Sequence, residues 1–215
     1  MKRLPLEPEF LAPLPTEIDL RLIVSDMDGT LVDGDGRVPA GLNQVVTQLR
    51  EAGMVFAPAS GRQLANLRAV LGPAVDGSPL IAENGSLVVL GDEEIHSDTI
   101  CAEHAAAAIT TTRDLARAGY DVGAVVACKR CAYIERSDPA FLAQAKLFYE
   151  ALEIVDDLMT IPLDEVLKVA VFDFDDVEGG SSQALTAAVP DAQTVVSGMH
   201  WTDMMSPQAS KGRAL

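Results

Sequence analysis

The stretch Leu22-Ile23-Val24-Ser25-Asp26-Met27-Asp28-Gly29-Thr30-Leu31 constrains this chain more than any other. A short apolar run bounded by turn residues reads as a buried strand. It ends abruptly in two carboxylates one residue apart, then a glycine and a hydroxyl residue. Ligands of open parallel sheets bind just beyond the carboxyl ends of strands. Asp26 and Asp28 stand at that edge, and strand alternation puts them on one face. One carboxylate can act as a nucleophile while the other moves a proton. The pair also suits a hard cation such as Mg2+, which prefers oxygen ligands. Read alone, Asp-x-Asp-Gly is equally a solvated turn, because turns favour these residues.

The chain after this point continues strand, helix, strand, helix. Leu42, Val45, Val46 and Leu49 recur at helical spacing, with Pro39 placed to open the helix and Gly53 to cap it. The second strand, Met54 to Ala59, runs into Ser60-Gly61-Arg62, and Leu64, Leu67, Val70 and Leu71 begin another helical pattern. Such a βαβ order predicts a parallel sheet, with the Ser60 loop beside the Asp26 loop. A hydroxyl next to helix N-terminal amides can cradle a phosphate, or simply cap the helix. The third strand, Pro79 to Ala82, leads into Glu83-Asn84-Gly85, where Asn-Gly also reads as a plain turn.

Apolar strand plus Asp26-Met27-Asp28-Gly29-Thr30-Leu31-Val32 resembles motif I of the haloacid dehalogenase superfamily, most closely its Cof-type sugar-phosphate phosphatases. Ser60-Gly61-Arg62 resembles the family's motif II, and Ser210-Lys211-Gly212 its motif III. The resemblance implies an α/β, Rossmann-like parallel core with an inserted α/β cap. It implies catalysis by Asp26 and Asp28, with Ser60, Gly61 and Lys211 on the phosphate and Arg62 and Asn84 near the substrate. It implies Mg2+ held by Asp26 and by Asp28 through its carbonyl. The expected division is an arm over residues 1–19, core over 20–85, cap over 86–196 and returning core over 197–215. The family's motif IV, Gly-Asp followed shortly by Asn-Asp, does not follow Lys211. The chain therefore reads as a truncated product or a short homologue. Leu22 to Val24 would then form an exposed edge open to self-association.

Within the expected cap, Ser86 to Leu90 and Glu94 to Ser97 read as a hairpin and Ala102 to Ala118 as a helix. Val122 to Ala127, Cys131 to Glu135, Leu167 to Phe172, Thr194 to Val196 and Trp201 to Met205 read as strands. Cys128-Lys129-Arg130-Cys131 supplies two of the four ligands that zinc needs, so free thiols are expected. Asp173-Phe174-Asp175-Asp176 reads as a solvated acidic loop, and Asp33 and Asp35 lack the later glutamate of a calcium loop.

Bulk properties narrow the partners. The net charge is −16 over 215 residues, a field that repels nucleic acid and anionic membrane. It repels phosphate esters too, so a phosphate site needs local cations or a metal. An odd count of 3 cysteines implies no disulfide framework and a cytoplasmic home. The N-terminal prolines Pro5, Pro8, Pro13 and Pro15 suggest an extended arm without the apolar core of a signal peptide.

The expected activity is hydrolysis of a small phosphorylated metabolite, a sugar phosphate, through an aspartyl-phosphate. Two rivals remain: a non-catalytic phosphate- or partner-binding protein on the same scaffold, and a phosphomutase of related architecture.

Overall fold

A computed structural model describes residues 19–215. The proline-rich arm lies outside the described residues apart from Asp19. The chain forms two sheets. The first contains β1 (Leu22–Asp26), β2 (Val55–Ala59), β3 (Pro79–Ala82), β4 (Leu87–Leu90) and β5 (Glu93–Ser97), hydrogen-bonded in that order. β1, β2 and β3 are parallel, while β4 and β5 run antiparallel to their neighbours. The helices α1 (Leu42–Glu51) and α2 (Leu64–Leu71) make the crossovers. Their apolar stripes, Leu42 and Val46 on α1 and Leu67 and Leu71 on α2, pack with Met27, Phe56 and Leu80. Spacing placed the start of α1 at Pro39. The helix instead begins at Leu42, after Gly41 adopts a left-handed φ of 95° that breaks the helical path.

The second sheet has the order β10-β11-β9-β6-β7-β8. These strands are β6 (Val122–Cys128), β7 (Ala132–Ile134), β8 (Leu152–Ile154), β9 (Val166–Asp173), β10 (Gln193–Val196) and β11 (Trp201–Met205). β6 and β9 are buried along their whole length, which explains their near-continuous apolar sequences. One face packs on α3 (Ala102–Arg117) and α5 (Gln183–Ala188), through Ala105, Ile109 and Leu185. The other packs on α4 (Pro139–Ala145), through Phe141, with Tyr149 and Trp201. Asp138 caps α4 by accepting the Phe141 N–H.

Sheet membership divides the chain differently from the sequence expectation. Ser86 to Ser97, expected to open the cap, extends the first sheet, because the three-residue turn Glu83–Gly85 folds β4 back onto β3. Trp201–Met205, expected in the returning core, lies inside the second sheet between β9 and β10. Only residues 197–200 separate β10 from β11, and so short a link favours a hairpin. β8 carried no clear strand pattern, since Glu153 interrupts it and two of its three residues are exposed. β1 is an edge strand among the described residues.

The acidic loop is also not simply solvated. Asp173 is fully buried and accepts backbone N–H groups from Asp175, Asp176 and Ser181. Its carboxylate closes the turn between β9 and the α5 segment. Asp33 acts likewise, accepting the amides of Asp35 and Arg37.

Candidate active site

The chain passes three times through the carboxyl end of the parallel strands. β1 ends at Asp26, and Gly29, at φ 73°, turns the backbone so that Leu31 and Val32 bond back to Asp26 and Met27 carbonyls. This tight turn exposes the Asp26 and Asp28 side chains while burying Met27 completely. β2 leads into Ser60, whose N–H bonds the Ile81 carbonyl and whose Oγ accepts the Arg62 N–H at 3.1 Å. β3 ends at Glu83-Asn84-Gly85, and the Asn84 N–H returns to the Ser60 carbonyl at 2.9 Å.

These three loops and the segment 210–211 surround one cleft of about 260 Å³. All seven residues singled out from sequence line it: Asp26, Asp28, Ser60, Gly61, Arg62, Asn84 and Lys211. Lys211 Nζ meets Asp26 Oδ1 at 2.5 Å. Arg62 grips Asp28 with two nitrogens, NH2 to Oδ1 at 2.6 Å and Nε to Oδ2 at 3.0 Å, and gives NH1 to Asn66. Each carboxylate thus has its own cation at the cleft mouth. Gly85 explains how Lys211 comes so close. Its φ is 98°, and a Cβ there would collide with the Ser210 carbonyl group. Only glycine lets the 210–211 backbone seat against β3. Gly61 is similarly pressed, since a Cβ would lie 2.6 Å from Asn84 Oδ1.

The floor of the cleft is a second cluster that the sequence reading did not single out. Lys168, from β9, is buried and lies 2.9 Å from Glu83 Oε2 and 3.4 Å from Asp203 Oδ2. It donates to the Gly61 carbonyl at 2.9 Å. Asn84 donates to Asp203 at 3.3 Å. Glu83 is buried in a left-handed backbone conformation, φ 48°, a strain of order 1–3 kcal/mol that the surroundings must hold. Burial pushes the Glu83 carboxyl up, and Lys168 only partly opposes this. Burial would lower the Lys168 ammonium, but Asp203 and Glu83 more than offset it, so it stays charged. The Lys168 approach to Glu83 is close yet poorly aligned, and neither Glu83 oxygen has an aligned donor. A sequence signal existed: a lysine inside the apolar run Val166–Phe172 must find buried partners.

The second sheet supplies the far wall through Phe148, Tyr149, Trp201 and the Ser197-Gly198 turn. It is pinned to α2 by Gln63, whose side chain donates to the Ala151 carbonyl at 2.8 Å and accepts the Ala151 N–H at 2.9 Å. The cysteine pair stands apart. Cys128 and Cys131 are free, and burial pushes the Cys128 thiol up to about 12. Among the described residues, no group of three acidic, histidine or cysteine side chains is placed to enclose a metal. None of their helices is long and apolar enough to cross a membrane.

Strand-end carboxylates at the edge of a mixed α/β sheet, facing a cleft shared with a second sheet, define an α/β protein of Rossmann-like type. Residues 23–215 match the profile of haloacid dehalogenase-like hydrolases, and the chain belongs to that family. Solved structures share the fold. One, from Eubacterium rectale, superposes with TM-score 0.77 at 24% identity, over 91% of this chain and 74% of that one. A haloacid dehalogenase-like hydrolase from B. subtilis gives 0.72 at 19% identity, over 91% and 76%. A HAD subclass IIB sugar phosphatase gives 0.71 at 18% identity, over 90% and 73%. No curated protein matches the chain.

Proposed function

We propose that the chain is a Mg2+-dependent phosphoric monoester hydrolase acting on a small phosphorylated metabolite. The observation that carries this reading is the cleft mouth: two carboxylates one residue apart, each paired with a cation, beside the Ser60 turn. The structural likeness to a sugar phosphatase supports a sugar phosphate as substrate.

In this reading an Asp26 carboxylate oxygen attacks phosphorus and the P–O ester bond breaks. Asp28, acting as the acid, gives a proton to the departing alkoxide. Asp28 then takes a proton from water, whose oxygen attacks the aspartyl-phosphate phosphorus. The P–O bond to Asp26 breaks, releasing inorganic phosphate and restoring the carboxylate. Lys211 occupies one oxygen of Asp26, and it would hold the phosphoryl group in place together with the Ser60 hydroxyl and the Gly61 turn. The Ser60 Oγ already accepts the Arg62 N–H, so its own O–H is free to donate to a phosphoryl oxygen. Arg62 must release Asp28 for proton transfer, and an incoming phosphoryl group offers the guanidinium another anionic partner. Mg2+ fits the donor chemistry, because Asp26 and Asp28 present hard oxygens at an open position. Held by these two residues, it would neutralise charge between carboxylate and phosphate.

The test is phosphate release from an aryl phosphate, with and without Mg2+, for the wild-type chain and Asp26→Asn. Metal-dependent release that vanishes in the variant is expected. Equal release by both proteins would refute the mechanism. No release by either would favour the non-catalytic reading.

A further inference from the structure

The Ser60 turn is also held from the second sheet. We infer that Lys168 is a positioning residue, through which the second sheet fixes the conformation of the phosphate-binding turn Ser60–Arg62. The inference rests on the proposed phosphate chemistry for its kinetic part alone.

The Gly61–Arg62 peptide is held at both ends. Its carbonyl accepts from Lys168 Nζ at 2.9 Å, and its N–H donates to Ser60 Oγ at 3.1 Å. The Ser60 carbonyl accepts the Asn84 N–H and the Arg62 carbonyl accepts the Glu83 N–H. The turn therefore has one support from the third parallel strand and one from β9. Lys168 also holds Glu83, whose left-handed conformation aims those two N–H groups at the turn. Without the ammonium, the Gly61 carbonyl and two carboxylates would be left together in a buried space. The peptide then keeps its N–H bond but loses the one that fixes its carbonyl, and the acceptor geometry at Ser60 Oγ is less constrained. Lys168 is in ion-pair contact with Asp203 on β11 as well, so a shift of the second sheet carries its Nζ away from the turn. Lys168 touches no reacting atom in this account. Its influence passes through Gly61.

Two measurements test this on the whole chain. The first is amide hydrogen exchange in Lys168→Met, and in Lys168→Met/Glu83→Gln, which leaves less uncompensated charge. Exchange at Arg62, Glu83 and Asn84 should rise at least about tenfold beyond any change in the β6 and β9 core amides. The second is kinetics per folded molecule with an aryl phosphate and Mg2+. kcat should fall at least about tenfold while KM changes much less, and combining Lys168→Met with Ser60→Ala should cost less than the product of the two single losses. Exchange at the turn that merely follows the core amides would overturn the inference, as would an unchanged kcat per folded molecule. If the wild-type chain hydrolyses no ester, the hydrolase reading fails, and turn exchange alone decides the role of Lys168.

Discussion

The mouth and the floor of the cleft are both built from carboxylates facing cations, yet they are physically opposite. At the mouth, the Asp26, Asp28 and Lys211 side chains are between 38% and 55% exposed, while that of Arg62 is 12% exposed. On the floor, the Lys168, Glu83 and Asp203 side chains are at most 6% exposed. Water screens the Asp26–Lys211 pair and reaches Asp28, so these contacts are the more exchangeable and can yield to a ligand phosphate. The second set has lost its hydration, so its partners are effectively permanent. An active cleft needs both: groups that can let go, on a base that cannot.

The largest effect should come from the mouth. Asp26→Asn is expected to lower kcat/KM by at least about 10⁴-fold, because it removes the proposed nucleophile. It should leave the urea midpoint nearly unchanged, and a large fall in that midpoint would erase the contrast with the floor.

Next comes Lys168→Met. Removing one partner of a buried pair leaves uncompensated charge, and about 3–5 kcal/mol of stability should be lost. Urea denaturation at pH 7 measures it. A loss below about 1 kcal/mol would place Lys168 with the exposed pairs.

Glu83→Gln separates the members of the floor. The folded pKa of Glu83 is raised above its unfolded value, chiefly by burial. The native state therefore holds this proton more tightly than the unfolded chain does. That contribution is fully present below the unfolded pKa and is lost as pH rises through the folded pKa. Glu83→Gln should flatten stability over that window, and an unchanged pH profile would show Glu83 to be ionised throughout. The Lys168 contribution has the same sign but a higher window. Its folded pKa lies well above 10.5, so it stays intact across neutral pH.

The smallest change in stability belongs to Lys211→Ala. An exposed pair contributes on the order of 1 kcal/mol or less, and salt should reduce it further. Activity should nevertheless fall about 10²-fold or more, as when a single electrostatic partner of a transition state is removed. A stability loss as large as that of Lys168→Met would break the comparison.

How much was legible follows the same division. Asp26 and Asp28 could be placed at a strand end from sequence, but Asp-x-Asp-Gly alone reads equally as a turn, and the longer string through Val32 singled the pair out by resemblance. The parallel β1-β2-β3 order was legible from alternating strand and helix signals. Ser60 and Lys211 stood out only through family resemblance, since alone each reads as a cap or a surface lysine. The floor could not be read in that way. Glu83, Lys168 and Asp203 are separated by more than 30 residues at each step, and no local pattern links them. Lys168 was visible only as an exception within a buried strand. The boundaries of the second sheet were misplaced where short turns, at 83–85 and 197–200, decided pairing against the expected insertion points.

Gln63 shows what such a division means for motion. Its side chain meets Ala151 through one donor and one acceptor, as a neighbouring strand would. In effect it is a detached peptide unit, a single rung of ladder between α2 and the segment leading to β8. Lifting the second sheet away from the first must break both bonds of that rung together.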